Sequence, residues 1–200
     1  MFCQYYYSEH WASRIIQVRS LGLRLIRLGF WFEESSAADW WKKDDSFDAL
    51  IKTRFLALHL QASKAELFVN RNTAQNRLAE IIVLDQFSRN IYRNLPASFA
   101  QDAMALVLAQ EAVAQGFDML LNPTQRSFLY MPFMHSESLA VHEYAVQLFT
   151  QLGNANMLDF ELKHKAIIEK FGRYPHRNNI LNRSSSPEEL EFLTQEGSGF

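Results

Sequence analysis

The sequence has little of the material that builds disulfides, metal clusters and turns. A single cysteine, Cys3, excludes an internal disulfide, a multi-cysteine zinc site and an iron–sulfur cluster. The 200 residues include only seven glycines and five prolines, and all five prolines lie beyond residue 95. We therefore expect long regular elements that are joined by short connections.

The sequence also lacks a large excess of positive or negative charge, and its apolar runs are interrupted. The formal net charge is -2, so no overall field attracts nucleic acid, and no nucleic-acid partner is expected. Four arginines interrupt the apolar stretch 11–32, which argues against a transmembrane segment and predicts a helix packed on the protein body. A basic amphipathic helix on a membrane surface is the alternative for this stretch. The first residues lack the basic opening and apolar run of a secretory signal. Together with the single thiol, these features predict a cytoplasmic protein.

Helical periodicity recurs along the chain, whereas the alternation typical of strands is almost absent. One apolar stripe with three-and-four spacing runs from Phe47 to Ala62, behind a possible cap at Asp45. The run RLAEIIVLDQF, residues 77–87, is apolar on most sides, which predicts that it forms a central helix.

Capping patterns predict where further helices begin and end. Ser98 and Gln101 have the spacing of a capping box. Asn122, followed by a proline, is a strong start signal for a short helix that Pro132 is expected to end. A later helix is expected to end at Gly153. Short loops between about seven or eight helices imply antiparallel neighbours.

These features predict an all-α fold of antiparallel helix hairpins, stacked as a tetratricopeptide-like α–α superhelix or a compact bundle. No register matches the tetratricopeptide sequence repeat itself. There is no glycine-rich phosphate loop, no dinucleotide fingerprint and no nucleophile elbow, and the pair His142-Glu143 lacks the second histidine of a zinc protease. These absences exclude the nucleotide-binding, α/β-hydrolase and common zinc-hydrolase classes.

Three charged residues lie at helical spacing on the predicted central helix. Asp85 and Arg89 are four residues apart, which permits an ion pair, and Arg93 follows one turn later. Unpaired charges on a buried helix cost several kcal/mol, so these groups must pair or face a cleft. A structural pair to a neighbouring helix and an anion site at Arg89 or Arg93 are both consistent with this pattern.

Four of the six histidines lie between residues 135 and 176. His135 and His142 are seven residues apart and share a face if the helix includes both. His164 interrupts an apolar stripe, so it is expected to be buried or to line a pocket. A buried histidine needs a hydrogen-bond partner, and either a core position or a ligand or catalytic role fits this placement.

Residues 163–183 form a local basic cluster. It could receive a phosphate, a carboxylate or an RNA backbone, or it could be a solvated face that pairs with acids elsewhere. Its cations are Lys163, Lys165, Lys170, Arg173, Arg177 and Arg183, against the single acid Glu169.

The runs LDQFSRNIYR (84–93), FLYMPFMHSE (128–137) and KFGRYPHRN (170–178), with the tail EELEFLTQEGSGF, closely resemble a family of bacterial proteins, domain-of-unknown-function family 924. The resemblance extends from about Leu25 to Phe200 and implies an all-α fold similar to tetratricopeptide-like superhelices. It implies no reaction. Ser88 departs from the family, which usually has proline there, and an unbroken helix is expected. Residues 1–24 are expected to be a helical N-terminal extension before a single all-α domain, 25–200.

The resemblance places motif residues at the polar positions discussed above and at their neighbours. We expect a groove that binds a peptide, a protein or a small anionic ligand, because so many polar groups recur beside the most apolar segments. The candidate ligand-binding residues are Asp85, Arg89, Arg93, His135, Glu137, His164, Arg173, His176 and Arg177. All of these except His164 are motif positions of the family, and the other motif positions are Gln86, Asn90, Tyr92 and Asn178.

Two alternatives remain from the residues alone. In a hydrolase-type enzyme, Glu137 or a histidine would be the general base and the arginines would hold an anionic substrate. A metal-assisted variant would use His135, Glu137 and either His142 or His164 around Zn, Mn or Fe, although no metal or cofactor is predicted outright. In the second alternative, the polar residues form a buried network that only fixes the packing of the hairpins.

Overall fold

The computed structural model describes residues 28–199, in which nine α-helices and no β-strand are present. The predicted all-α fold is therefore confirmed. The predicted extension, residues 1–24, and its arginine-rich helix lie outside the described residues. The helices are α1 Ala37–Trp41, α2 Asp45–Ala62, α3 Ala74–Ile82, α4 Ser88–Ile91, α5 Asp102–Ala114, α6 Pro123–Met134, α7 Leu139–Leu152, α8 Ala155–Phe171 and α9 Pro187–Phe192.

Shorter helical turns complete the chain. A π-helical turn, Val83–Phe87, joins α3 directly to α4, so that residues 74–91 are helical throughout and Ser88 does not interrupt them. A second π turn lies at Phe30–Glu34. The 3-10 turns are Phe68–Asn70, Pro96–Ser98, Asp118–Leu120 and Pro175–Arg177.

Several predicted helix ends are confirmed by their caps. The Asn122 side chain accepts a hydrogen bond from the Gln125 backbone N–H, 3.0 Å away, at the start of α6. Helix α7 ends at Gly153, whose φ of 74° lies in the left-handed region that favours glycine. The cap of α2 is Asp44 rather than Asp45, because the Asp44 carboxylate accepts from the first backbone N–H groups of the helix.

Two other predictions at helix ends are wrong. Pro132 lies inside α6, because in the last turn one lost hydrogen bond is outweighed by the burial of Phe133 and Met134. Ser98 does not cap α5. Its hydroxyl donates to the Leu95 carbonyl within a 3-10 turn, and α5 begins at Asp102 without a side-chain cap.

The segment from α3 to α4 is the centre of the molecule, as its all-round apolar pattern predicted. Residues 77–87 are all buried, α2 packs on α4, and α3 packs on α5 and α6. Helices α6, α7 and α8 pack in sequence, and two residues, Gly153 and Asn154, connect α7 to α8. Such a short connection makes α7 and α8 an antiparallel hairpin, whereas stacking into a tetratricopeptide-like superhelix stays a prediction.

None of the helices within residues 28–199 combines the length and the apolar composition that crossing a bilayer requires. The longest, α2 with 18 residues, contains charged side chains along its length.

Candidate functional site

The π turn in the centre of the fold holds Asp85, whose residue surface is 1% exposed. Its Oδ1 accepts a hydrogen bond of 2.7 Å from Nδ1 of His135, the residue that ends α6. Its Oδ2 accepts from the Gln86 amide at 2.6 Å, and Arg89 lies 3.1 Å from Oδ1. Burial acts to raise the pKa of Asp85, but the charge of Arg89 and the contacts with His135 and Gln86 outweigh burial, and the pKa lies below its usual range.

Asp102, the first residue of α5, connects two arginines from distant parts of the chain. Arg89 donates two hydrogen bonds of 3.1 Å to the two oxygens of its carboxylate. Arg177 donates a further one of 3.0 Å to Oδ2, and another of 3.0 Å to the carbonyl of His135. The central helix, α5, the end of α6 and the 3-10 turn at 175–177 are thereby tied together.

A half-open pocket of about 380 Å³ lies against this network. Its polar end contains Asp102, His135, Ser136, Glu137 and Arg177. The remaining lining is apolar and comprises Pro96, Phe99, Ala100, Ala103, Leu106, Pro132 and Leu181. Three of the predicted site residues therefore line a common pocket, and two more, Asp85 and Arg89, lie directly behind its polar end.

The His135 ring is the pocket's partly accessible imidazole, with 16% of its side chain exposed. Nδ1 is bound to the Asp85 carboxylate, and no residue within 28–199 forms a hydrogen bond with Nε2. Burial and the charge of Arg89 lower the pKa of His135, so the ring is neutral at neutral pH, with its proton on Nδ1 and a lone pair on Nε2.

Glu137 is held in place at the rim of the pocket. Arg183 donates hydrogen bonds of 2.7 and 2.9 Å to its two oxygens, and the Tyr174 backbone N–H donates one of 2.8 Å. Burial acts to raise the pKa of Glu137, but the hydrogen bonds from Arg183 and Tyr174 lower it overall. A carboxylate with this many donors is a structural anchor and a weak base.

Behind the pocket, His142 and Glu161 form a pair in which both side chains are 0% exposed. Nδ1 of His142 lies 2.7 Å from Glu161 Oε1, and Nε2 lies 2.9 Å from the Ser136 carbonyl. The Tyr174 hydroxyl donates to the Met134 carbonyl at 2.5 Å, and it lies 3.2 Å from Nε2 of His142. Burial raises the pKa of both Glu161 and Tyr174.

His164 and His176 lie in this interior and not in the pocket lining. Nδ1 of His164 donates to the Phe160 carbonyl at 2.7 Å, and the rings of His164 and His135 are 6.4 Å apart. Burial lowers the pKa of His164 to about 3 and that of His176 to about 4. Both rings are therefore neutral in the folded protein at neutral pH.

The remaining two predicted residues, Arg93 and Arg173, lie away from the pocket. Arg93 donates through Nη2 to Asp48 Oδ1 at 2.7 Å, which ties α4 to α2. Arg173 donates to both oxygens of Glu189 at 2.7 and 2.8 Å, which ties the end of α8 to α9. Both pairs have the geometry of structural ion pairs.

The residues proposed for a metal-assisted site are not arranged around a common point. Nδ1 of His135 is bound to a carboxylate, both oxygens of Glu137 are bound to Arg183, and both nitrogens of His142 are in hydrogen-bonding contact. Across residues 28–199, no group of three or more histidine, cysteine, aspartate or glutamate side chains could hold a metal ion.

The basic cluster separates into local pairs. Lys163 pairs with Asp159 at 2.6 Å, Lys165 pairs with Glu169, and the three arginines pair with carboxylates described above. Lys170 lies over the ring of Phe171. The charges of the basic cluster therefore pair mainly with acids elsewhere, which is the second of the two interpretations that its sequence allowed.

Sequence reasoning missed the residue that organises the site, Asp102. The only sequence feature that marked Asp102 was its place as an acidic residue in the first turn of a helix, and such residues are common there. Tyr174 was also assigned no role from the sequence. The signal that could have found it was its place between Arg173 and Arg177 within a motif that resembles the family.

Comparison with known proteins gives a family and a solved structure. Residues 28–197 match the family described as "Bacterial protein of unknown function (DUF924)". The fold is similar to the structure of ATU0120, a protein of unknown function from Agrobacterium tumefaciens, with 34% sequence identity and a TM-score of 0.81 over 87% of this chain and 97% of that one. No curated protein matches the sequence. The chain belongs to the bacterial DUF924 family, as its motifs predicted.

Proposed function

We propose that this protein binds a small organic monocarboxylate in the pocket beside His135 and Arg177. The observation that carries the proposal is a pocket lining that combines apolar side chains with a hydrogen-bonded polar cluster around Arg177. Small-molecule sites have this character, with volumes of roughly 300–1,000 Å³ and a few polar groups that fix orientation.

The apolar wall supports a ligand with a short hydrocarbon body. Phe99 precedes α5, Leu106 lies one turn along it, and Leu181 lies on the opposite chain segment. Each buried methylene gains about 0.8 kcal/mol, so an alkyl chain of a few carbons contributes a few kcal/mol to the binding free energy, in addition to the contacts of the carboxylate.

The polar end supports a carboxylate head. Arg177 is stacked 4.6 Å from the ring centres of both Phe99 and Tyr174, which fixes the plane of its guanidinium. Its Nη1 and Nη2 each donate one hydrogen bond inside the protein, and a guanidinium has five N–H donors in total. The remaining Nη hydrogens are suited to a planar carboxylate.

The charge balance argues against a phosphate. Three arginines, Arg89, Arg177 and Arg183, face three carboxylates, Asp85, Asp102 and Glu137, so the network is neutral overall. A dianion would add two uncompensated charges to a partly buried site, whereas a monoanion adds one that the hydrogen bonds of Arg177 can offset. Among the small anionic ligands that the sequence predicted, we therefore propose a monocarboxylate.

Isothermal titration with sodium hexanoate tests this proposal. The Ala103→Trp substitution fills the mouth of the pocket from an exposed position on α5, and Gln110→Trp places the same side chain on an exposed position of α5 outside the pocket. We expect Ala103→Trp and Arg177→Gln to weaken hexanoate binding at least about tenfold, while Gln110→Trp leaves it unchanged.

Equal hexanoate affinity in wild type and Ala103→Trp would refute the proposal. So would an absence of binding at millimolar hexanoate, and the interpretation as a purely structural network would then stand. N-acetylleucine is a monocarboxylate that also carries the amide of a peptide end, so clearly tighter binding of that probe would agree with the proposal and identify a peptide C-terminus as the ligand.

A further inference from the structure

We infer that Asp85 and His135 form a general-base dyad that activates water for the hydrolysis of a small, uncharged carboxylic ester in the pocket. This inference rests on the proposed function, because the acid released by the ester is the monocarboxylate that the pocket is proposed to bind. The new element is a reaction, the hydrolysis of an ester, at the site that is proposed to bind the monocarboxylate.

The first observation is the orientation of the imidazole. Asp85 is buried and fixed by Gln86 and Arg89, and its carboxylate holds the proton of His135 on Nδ1. Nε2 is then the basic nitrogen, and it belongs to a ring that lines the pocket. A carboxylate that fixes the tautomer of a histidine in this way also stabilises the imidazolium that forms when Nε2 takes up a proton.

The second observation selects the base. Glu137, the other candidate, is saturated by Arg183 and the Tyr174 backbone, so it has little capacity to accept another proton. The neutral state of His135, which burial favours, leaves Nε2 ready to accept.

The third observation identifies the nucleophile. No serine, threonine or cysteine among residues 28–199 forms a hydrogen bond with Nε2 of His135. The pocket is open to solvent, so water is the nucleophile that can reach this nitrogen. The neutral charge balance favours an uncharged ester over a phosphate ester.

The proposed hydrolysis has two steps, the addition of water to the ester and the loss of the alkoxide. Nε2 takes a proton from water while the water oxygen bonds to the ester carbonyl carbon, and the carbonyl π electrons move to its oxygen beside the guanidinium of Arg177. When this intermediate collapses, the bond to the alkoxide breaks and the imidazolium returns the proton to the alkoxide. One ester and one water give one carboxylic acid and one alcohol.

Hydrolysis of p-nitrophenyl hexanoate, followed by the absorbance of the released p-nitrophenolate, tests the inference. We expect His135→Gln to lower kcat/KM by about a hundredfold or more, which is the range of general-base catalysis. Arg93→Gln removes a charged side chain outside the pocket and is expected to retain the wild-type rate.

Asp85 is a positioning residue, and its own substitution has a distinct signature. In Asp85→Asn, the amide can donate to Nδ1 and reverse the tautomer, so we expect kcat to fall with little change in KM. In the wild type, kcat/KM should rise with pH through a pKa below the usual range of histidine.

The outcomes separate the two proposals. If hexanoate binds but wild type and His135→Gln hydrolyse the ester equally, the dyad is refuted and the binding function stands. If wild type hydrolyses the ester no faster than an equal concentration of free imidazole, the inference is also refuted. If hexanoate does not bind, the proposed function fails independently of the hydrolysis result.

Discussion

His164 makes folding sensitive to acid, and the size of the effect follows from its burial. The side chain lies on α8 with only 5% of the residue exposed, and its Nδ1 donates to the Phe160 carbonyl. Burial lowers the pKa of His164 to about 3, although the hydrogen bond to Phe160 acts to raise it.

The unfolded chain has a histidine pKa near 6.5, so it binds a proton that the folded protein excludes as the pH falls below that value. Stability from His164 is therefore complete above about pH 6.5 and is lost progressively toward the folded pKa. At about pH 5 the gap is roughly 1.5 pH units, which corresponds to a loss of about 2 kcal/mol in the free energy of unfolding.

Urea denaturation at about pH 7 and about pH 5 measures this loss in the wild type and in His164→Gln. Because other buried histidines also titrate, the informative quantity is the difference between the two pH dependences. We expect His164→Gln to lose about 2 kcal/mol less than the wild type over this interval. Lys163→Gln, at an exposed neighbouring position, should follow the wild type. Parallel pH dependences in wild type and His164→Gln would refute the reasoning.

Three further substitutions test the contacts around the site by urea denaturation. Asp102→Asn removes the charge that Arg177 shares with the central helix, and we expect a loss of about 2–3 kcal/mol; wild-type stability would show that the contact contributes nothing. Glu161→Ala leaves Nδ1 of buried His142 without its partner and should cost about 3–5 kcal/mol, a value that a loss below about 1 kcal/mol would contradict. Gly153→Ala, at a φ of 74°, should cost about 1 kcal/mol, and an unchanged midpoint would contradict the role of its left-handed conformation.

The fold was largely predictable because its determinants are local. Helix periodicity, the cap at Asn122 and the helix end at Gly153 each depend only on residues that are close in the sequence. Each of these predictions was confirmed. The central position of residues 77–87 followed from the absence of a polar face. Pro132 was misjudged because its cost depends on what the following residues bury, which is a tertiary property.

The site was only partly predictable because its contacts join distant residues. Arg177 and Asp102 are separated by 75 positions, and no local spacing indicates that they meet. The Asp85–Arg89 pair was predictable from its spacing of four. Arg93 has the same chemistry as Arg89 but lies one turn further along, where it pairs with Asp48 of α2, whereas Arg89 pairs with Asp85 and Asp102.

The π turn at Val83–Phe87 determines how the residues that follow it in the helical segment 74–91 are rotated about the helix axis. A wide turn accommodates one residue more than an α-helical turn, and each residue turns a helix by about 100°. Deleting one residue there would rotate Arg89 and Arg93 by about that angle and separate each of them from its present partners. We therefore expect the insertion or deletion of one residue in this turn to disturb the structure more than most side-chain substitutions around it.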